Sequence, residues 1–260
     1  MVRMFSGLLL VIWSATLAPA HAAGVELALG GWRQDPNGIL NVMTLDFPNE
    51  FDLEDDLDYT PEYRIFGRLK LETPPFFPNI YILAAPMEFD ASGRKNVDFS
   101  FNGSSFATNV DLNSKLTLNQ YDLSLYYGIP ALRTATAKKL NVDIGVNFRW
   151  IDFSAEITGD SAAAPGMVLT EEEDLSIVVP MLFAAVQFSP HERLSIEAEA
   201  RGLAIGDNSL YSLLGRIRYT LAGPAFIAAG YRYDTVDIDE GDIRLDADFS
   251  GPFVEFGLKF

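Results

Sequence analysis

The sequence contains no cysteine, and one of its two histidines lies within the first 22 residues. The absence of cysteine excludes disulfides, thiolate zinc sites and cysteine nucleophiles. Long apolar runs are also missing, because the longest one covers residues 177–186 and contains Pro180. A transmembrane helix needs about 20 consecutive apolar residues. The chain is therefore not expected to cross a membrane with a helix after its first residues.

Basic residues are scarce relative to acidic ones. The sequence has 19 Lys and Arg against 36 Asp and Glu. If Arg3 is removed with a leader, 18 basic residues remain against 36 acidic ones, a net charge of −18 (18 minus 36). This balance argues against nucleic acid as a partner. No residue pattern indicates a cofactor.

The first 22 residues have the three parts of a secretory signal peptide. Arg3 supplies a basic start, residues 8–13 with their flanks form an apolar segment, and Ala20-His21-Ala22 is a small-residue cleavage site. Residues 1–22 are therefore predicted to be removed by cleavage near Ala22 or Ala23. An N-terminal membrane anchor is the alternative, although the apolar segment is shorter than a helical span requires.

The rest of the chain alternates between apolar and polar residues in about ten strand-like segments. In the last one, residues 253–260, every second residue is large and apolar. Such a strand suits lipid, and pairing with the first strand would close the sheet. We predict an all-β fold for residues 23–260: a single closed, antiparallel, up-and-down transmembrane β-barrel of about ten strands with both termini in the periplasm.

The C-terminal stretch also resembles the assembly signal of bacterial outer-membrane barrels, which is a final strand with alternating apolar residues and a terminal Phe. The resemblance assigns Phe256, Leu258 and Phe260 to that signal. It implies that the barrel assembly machinery is a partner and that the chain lies in the bacterial outer membrane.

The charged residues of several predicted strands share the face opposite the apolar ones. In a barrel the apolar face meets lipid and the charges line the interior, or lumen. The predicted lumen-lining residues are Glu62, Arg64, Arg68, Asp122, Asp143, Arg149, Glu197, Glu199, Arg201, Arg216, Arg218 and Arg232. A secreted soluble β-sandwich or ligand-binding protein is the alternative, with the apolar face as its core. Aromatic residues near strand ends and the length of the strands favour the barrel.

A barrel of about ten strands is only a little wider than one whose interior is filled by side chains. Because both signs of charge point inward, we expect a network of ion pairs and a largely packed lumen. This favours a structural or narrow-transport barrel. A small-solute or anion-selective pore, suggested by the excess of inward arginines, is the alternative.

Four stretches within residues 54–157 carry a resemblance to a family: Glu72-Thr73-Pro74-Pro75-Phe76-Phe77-Pro78-Asn79, Phe99-Ser100-Phe101-Asn102-Gly103, and the segments 118–127 and 140–149. They resemble a largely uncharacterised family of outer-membrane β-barrel proteins of Gram-negative bacteria of about this length. The family commonly has His-Pro where Thr73-Pro74 stands. The resemblance implies the fold and the location, and it implies no substrate.

His191, the histidine that remains after cleavage, is the candidate general base for catalysis. Outer-membrane hydrolases use a His general base near the outer rim, whereas His191 is predicted in a periplasmic turn beside Pro190. Glu197 and Glu199 could serve acid/base chemistry, but nearby arginines favour ion pairing. The chain is therefore expected not to be an enzyme.

The loops predicted on the outer side, residues 34–58 and 158–173, are acidic. Outer-membrane lipid and lipopolysaccharide are the expected surroundings, and divalent cations could join these carboxylates to lipopolysaccharide phosphates. Solvated, mutually repelling loops are the favoured explanation of the pattern, and whether a metal binds is left open. Pro180 interrupts a predicted strand, so a bulge or a misplaced boundary is expected there.

Overall fold

The computed structural model describes residues 24–44, 47–94, 99–101, 104–106, 111–164, 166–206, 208–240 and 243–260. The predicted signal peptide and the predicted turn at residues 102–103 lie outside this part. In the part described, no helix is long and apolar enough to span a membrane. The elements are β1 (Val25–Thr44), β2 (Phe47–Asp52), β3 (Glu62–Leu71), β4 (Asn79–Ala85), β5 (Glu88–Arg94), β6 (Phe99–Phe101), β7 (Ser104–Phe106), β8 (Asp111–Gly128), α1 (Pro130–Ala135), β9 (Leu140–Asp160), β10 (Val168–His191), β11 (Leu194–Ile205), β12 (Asn208–Ala222), β13 (Ala225–Glu240) and β14 (Ile243–Lys259).

The main sheet closes on itself. Each wall strand pairs antiparallel with its neighbours, and β14 pairs back onto β1 from Glu26–Lys259 to Val42–Ile243. Of the twelve strands in this sheet, β2 pairs with β1 alone and β4 and β5 lie end to end along β8, which leaves ten wall positions. The prediction of a closed antiparallel barrel of about ten strands is confirmed, and the alternative of a soluble sandwich is wrong.

The two ends of the barrel differ. The "turn end" carries the start of β1, the C-terminus, α1 and the short connections after β3, β10 and β12. The "loop end" is opposite and carries β2 and the separate β6–β7 hairpin. Around the turn end and the middle, the outward side chains are apolar and exposed, for example Leu29, Leu182, Ile217 and Val254. An outward apolar band with aromatic residues at its borders is the lipid-facing surface of an outer-membrane barrel.

Towards the loop end the outward side chains become polar and the inward side chains become apolar. The alternation of outward and inward positions along each strand continues without a shift. In β9 the outward residues run from Ile144 through Trp150, all exposed, to Asp152 and Glu156. The inward residues change in the opposite sense, from Arg149 to a buried apolar set: Ile151, Phe153, Ala155 and Ile157. Beyond Trp150 the wall is therefore polar outside and apolar inside, which suits water on its outer face.

The apolar interior of the loop end is completed by chain that folds inward. Phe51, Leu53, Leu57 and Tyr59, from β2 and the turn after it, are buried there. Phe106 of β7 is also buried, and its backbone bridges Ser161 beyond β9.

The predicted boundaries of the acidic loops were wrong. β1 continues to Thr44, β9 continues to Asp160, and β10 begins at Val168. These parts of the predicted loops belong instead to strands of the barrel wall.

Pro180 lies within β10 without a bulge in the register to β9, where it faces Phe148. On the other side, pairing of β10 with β11 begins only at Leu182. Proline has no backbone N–H to donate, so it is tolerated at a position that lacks a paired strand on one side. The expected bulge was therefore wrong, and the expected misplaced boundary was right, since the strand begins at Val168.

Gly38 generates a prediction about stability. Its φ of 131° is rare for L residues, and an added Cβ would lie 2.2 Å from the backbone oxygen of Asp246. Gly38→Ala is expected to lower the unfolding temperature, read as loss of heat-dependent gel mobility, because a disfavoured φ alone costs about 1–3 kcal/mol. Gly31→Ala is the matched control, since nothing lies within 4 Å of its added Cβ. Equal unfolding temperatures for the two variants would contradict the backbone assignment.

The position of the lipid-facing band is tested by moving one charge along the outer wall. Ile217→Arg places a cation within the band and is expected to cost about 2–4 kcal/mol. Asp246→Arg places the same cation on the polar outer face near the loop end and is expected to cost little. Urea unfolding in lipid vesicles measures both, and equal losses would show that the band is wrongly placed.

Candidate functional site

The interior of the lipid-facing half is charged and balanced. Among the described residues it holds six buried arginines and six buried carboxylates. They are Arg68, Arg149, Arg201, Arg216, Arg218 and Arg232, with Glu26, Asp122, Glu197, Glu199, Asp234 and Glu255. Each lies at an inward-facing position of a strand whose side chains point alternately outward and inward. Because buried charges are costly unless paired, their mutual contacts decide what this interior can do.

Arg68 of β3 forms ion pairs with carboxylates on β1 and β14, the next two strands around the barrel. Its Nη2 lies 2.7 Å from Glu255 Oε1 on β14, and its Nη1 lies 2.6 Å from Glu26 Oε1 on β1. Its Nε also donates to the second Glu255 oxygen at 2.9 Å. A planar guanidinium bonded twice by one carboxylate is a strong, directional pair.

Arg216 and Arg218 of β12 extend these contacts. Arg216 Nη2 lies 2.6 Å from Glu199 Oε1 and 2.7 Å from Glu197 Oε2. Arg218 bonds Glu197 Oε1 at 2.6 Å and Glu26 Oε2 at 2.9 Å. Glu26 thereby connects this group to Arg68, so that the pairs form one continuous network.

A second group surrounds Asp122 of β8. Arg149 donates to both of its carboxylate oxygens at 2.8 Å, and Asn147 Nδ2 donates at 2.7 Å. Arg201 Nε lies 3.8 Å from the same carboxylate, and Arg201 Nη2 lies 3.2 Å from Glu199. These contacts join the Asp122 group to the network around Arg216.

Two contacts cross the full bore, and we name them the cross-bore contacts. Lys70 Nζ of β3 lies 2.9 Å from Glu199 Oε1 of β11, and Arg232 Nη2 of β13 donates to Gln120 Oε1 of β8 at 2.9 Å. In the order of the ten wall positions, each pair is five positions apart and therefore on opposite walls. At these levels, side chains of opposite walls are therefore in direct contact across the lumen.

Aromatic side chains pack inside the bore on the loop-end side of the cross-bore contacts. The guanidinium carbon of Arg232 lies 4.4 Å from the ring centre of the buried Trp32. Further towards the loop end, Phe89 stacks on Phe249 with ring centres 5.7 Å apart, and Tyr59 lies beside Phe89 at 6.0 Å. A charged layer and an apolar layer therefore follow one another along the lumen.

At the turn end the interior opens as a vestibule. Its cavity is about 180 Å³ and its polar lining includes Lys70, Glu72, Asp143 and Lys259. Asp143 accepts a hydrogen bond from Asn141 Nδ2 at 2.8 Å. The vestibule ends at Lys70, which belongs to a cross-bore contact.

The twelve sequence-predicted lumen residues fall into three groups. The structure brings nine together in the charged interior: Arg68, Asp122, Arg149, Glu197, Glu199, Arg201, Arg216, Arg218 and Arg232. Asp143 lies in the vestibule. Glu62 and Arg64 lie towards the loop end of β3, where Arg64 donates to the backbone oxygen of Glu88 at 3.0 Å. What these residues do in function stays a prediction.

Sequence reasoning missed several partners of these residues: Glu26, Lys70, Gln120, Asp234 and Glu255. The alternation itself could have found Glu26 and Glu255, because each is a charged residue that lies between two apolar neighbours of the opposite face. Gln120 gives no such signal, since its importance comes from lying opposite Arg232 across the bore.

Phe256, Leu258 and Phe260 lie on the outward face of β14 and its end, with Phe256 and Phe260 exposed. Their role as an assembly signal stays a prediction. His191 is exposed at the end of β10, where its Nδ1 accepts the Arg193 N–H at 3.2 Å. Within the described ranges no cluster of three or more His, Asp or Glu side chains could hold a metal ion.

No family model matches the chain, and no curated protein sequence matches it. Solved structures do match. The outer membrane protease OmpT from Escherichia coli aligns at a TM-score of 0.57 and 9% identity, covering 93% of this chain and 99% of that one. The fold is that of an outer-membrane β-barrel. The translocator domain of the autotransporter NalP from Neisseria meningitidis aligns at 0.45 and 9% identity (93% and 90% covered).

The expectation that the chain is not an enzyme is corrected by this comparison. OmpT is a protease, and its barrel aligns with nearly the whole of this one. That expectation rested on the lack of a suitably placed histidine. The comparison shows that a barrel of this fold can be an enzyme. At 9% identity the likeness concerns the fold, and no residue role is transferred.

The buried pair of Asp122 and Arg149 generates a prediction. Arg149→Met leaves Asp122 buried without its twofold partner and is expected to lower the free energy of unfolding by about 3–5 kcal/mol. Adding Asp122→Leu is expected to recover most of the loss, because two apolar groups need no pairing. Urea unfolding in detergent or lipid measures both variants.

Lys115→Ala is the matched control for a pair at the surface. Lys115 forms a salt bridge with Glu88 on the exposed wall, and this contact lowers the pKa of the Glu88 carboxyl. Its removal should cost about 0–1 kcal/mol. An Arg149→Met loss as small as that of Lys115→Ala would contradict the network.

Proposed function

We propose that the protein is a non-conducting outer-membrane barrel of structural type, whose lumen is held shut by its own side chains. The observation that carries the proposal is the pair of cross-bore contacts, Lys70–Glu199 and Arg232–Gln120, which join opposite walls. The aromatic layer around Trp32 and Phe89 adds a second closure in series. A barrel closed twice serves as a rigid support for the polar wall at its loop end.

A narrow small-solute pore is the second candidate, favoured by the vestibule at the turn end. The excess of inward arginines that suggested anion selectivity is removed by their partners, since six buried carboxylates balance six buried arginines. A solute entering the vestibule meets Lys70 and its contact to Glu199. Transport would require both closing layers to rearrange.

We also propose the topology and its assembly. With an even strand count both termini lie on one side, and short turns at that side are typical of the periplasmic end of such barrels. The turn end is then periplasmic, residues 1–22 are the cleaved signal peptide, and Phe256, Leu258 and Phe260 are read by the barrel assembly machinery. Membership of the family that residues 54–157 resemble belongs to the same proposal.

The surroundings proposed are outer-membrane lipid along the apolar band and lipopolysaccharide around the loop end. Outward carboxylates such as Asp152, Glu156 and Asp174 lie beyond the band on β9 and β10. Divalent cations shared with lipopolysaccharide phosphates would neutralise them.

Single-channel recording in planar bilayers tests the closed lumen. The reconstituted protein is expected to add no steady conductance, in parallel with a general porin as the positive control. Steady unitary currents would overturn the closed barrel and favour the pore. If currents appear, their loss on filling the vestibule with Asp143→Trp would locate the path there.

A further inference from the structure

Four exposed basic side chains lie on two adjoining connections at the turn end. Arg133 belongs to α1, Lys138 and Lys139 belong to the connection from α1 to β9, and Arg193 belongs to the turn between β10 and β11. None of the four forms a salt bridge with another residue that the structure describes. We name these four residues the basic rim. Unpaired cations grouped at one end are an exception in a chain with 19 basic and 36 acidic residues.

Backbone hydrogen bonds hold the two connections of the basic rim together. The Ser189 N–H, at the start of the β10–β11 turn, donates to the Lys139 carbonyl oxygen at 2.7 Å. Within the first connection, the Lys138 N–H donates to the Arg133 carbonyl oxygen at 2.7 Å. The helix α1 contains no buried residue, so packing against the core does not explain its side chains. The rim is therefore a fixed surface that presents its cations to the outside.

The basic rim begins where the lipid-facing band ends. Leu140 of β9 pairs with Phe188 of β10 at outward positions, and Lys139 and Ser189 are their immediate neighbours in the chain. On the next strand the outward Tyr127 is also exposed. Aromatic residues at the border of an apolar band lie at the level of the lipid head groups. Because Lys and Arg side chains keep their stems on apolar surface and their charges in the polar layer, the rim is expected to reach these head groups.

The carboxylates near the basic rim are too few to neutralise it. Glu72 already pairs with Lys259 at 3.4 Å, and Asp143 lies in the vestibule, where Asn141 donates to it. Glu192 is exposed beside Arg193, and it forms no salt bridge within the described part of the chain. Four cations therefore have one exposed, unpaired carboxylate beside them. Their charge selects an anionic occupant, and their position at the border of the band selects a lipid over a soluble anion.

We propose that the basic rim is a docking surface for anionic phospholipid head groups in the leaflet at the turn end. The lipid phosphates accept hydrogen bonds from the Lys and Arg side chains. The acyl chains of the same lipids lie against the outward apolar side chains of β9 and β10, such as Leu140 and Phe188. A zwitterionic phospholipid carries its own cation beside the phosphate and is held less tightly. The proposal does not depend on whether the lumen conducts.

The binding test uses the full-length mature protein in a non-ionic detergent and native mass spectrometry, which counts bound lipids. Phosphatidylglycerol is the anionic probe, and phosphatidylcholine with the same acyl chains is the zwitterionic one. Phosphatidylglycerol is expected to bind roughly tenfold more tightly, because several cations face its net charge. Equal binding of the two lipids would overturn the proposal. Inorganic phosphate, added at constant ionic strength, should leave the bound phosphatidylglycerol in place, and its displacement would assign the rim to soluble phosphate instead.

Matched variants locate the contact. Lys138→Gln with Lys139→Gln is expected to reduce the preference for phosphatidylglycerol by roughly tenfold, a change of about 1.4 kcal/mol. The control is Lys115→Gln with Arg244→Gln, which removes two exposed basic side chains near the loop end and should leave the preference unchanged. An equal loss in the control would show attraction to general charge and would overturn the site. Arg193→Gln should also lower the preference, and no effect would overturn a surface shared by the two connections.

Energy transfer in vesicles supplies a readout within a bilayer. Because the chain has no cysteine, one dye can be attached at Ser189→Cys beside the basic rim, or at Asp246→Cys near the loop end. The acceptor is a small fraction of phosphatidylglycerol or phosphatidylcholine that carries a dye on an acyl chain. From Ser189→Cys, transfer to phosphatidylglycerol should be the higher, and from Asp246→Cys the two lipids should give equal transfer. Equal transfer from Ser189→Cys, or the same difference at both positions, would contradict docking at the rim.

Discussion

The structure depends on one constraint: in lipid every backbone N–H and C=O must be bonded within the protein. The pairing of β14 with β1 satisfies it by leaving no edge through the lipid-facing half. Closure then places every second side chain in a narrow interior, where most of the charged ones are buried. Charges placed there are tolerable only in pairs. The equal numbers of buried arginines and carboxylates are therefore a requirement of closure.

A second consequence of the same geometry is that each long strand meets two solvents. In β9 the outward positions are apolar as far as Trp150 and polar from Asp152 onward, while the inward positions change from Arg149 to Ile151 and Phe153. The lipid-facing half is a barrel with a polar interior, and the loop end is a barrel with an apolar core of the kind found in water. The two are built from the same strands without a break.

The alternation of residues predicted much of this. Two-faced strands such as 142–150 predicted the closed sheet and which charges share a face, and the narrow bore predicted that they would pair. The reversal of polarity was missed, because a period of two reads the same whichever face is apolar. The parts of β1, β9 and β10 that fall within residues 34–58 and 158–173 were taken for acidic loops. Lys70–Glu199 and Arg232–Gln120 could not be predicted, since they depend on strand count and tilt rather than on neighbours in the sequence.

The cross-bore contact between Lys70 and Glu199 joins residues 129 positions apart in the chain. Lys70 on β3 meets Glu199 on β11 only when the six wall positions from β3 to β11 have formed. A partly built barrel would hold uncompensated ions against acyl tails, which is costly. The hairpins therefore cannot enter the bilayer one at a time, and insertion and closure of the wall should occur as a single concerted event with a high kinetic barrier.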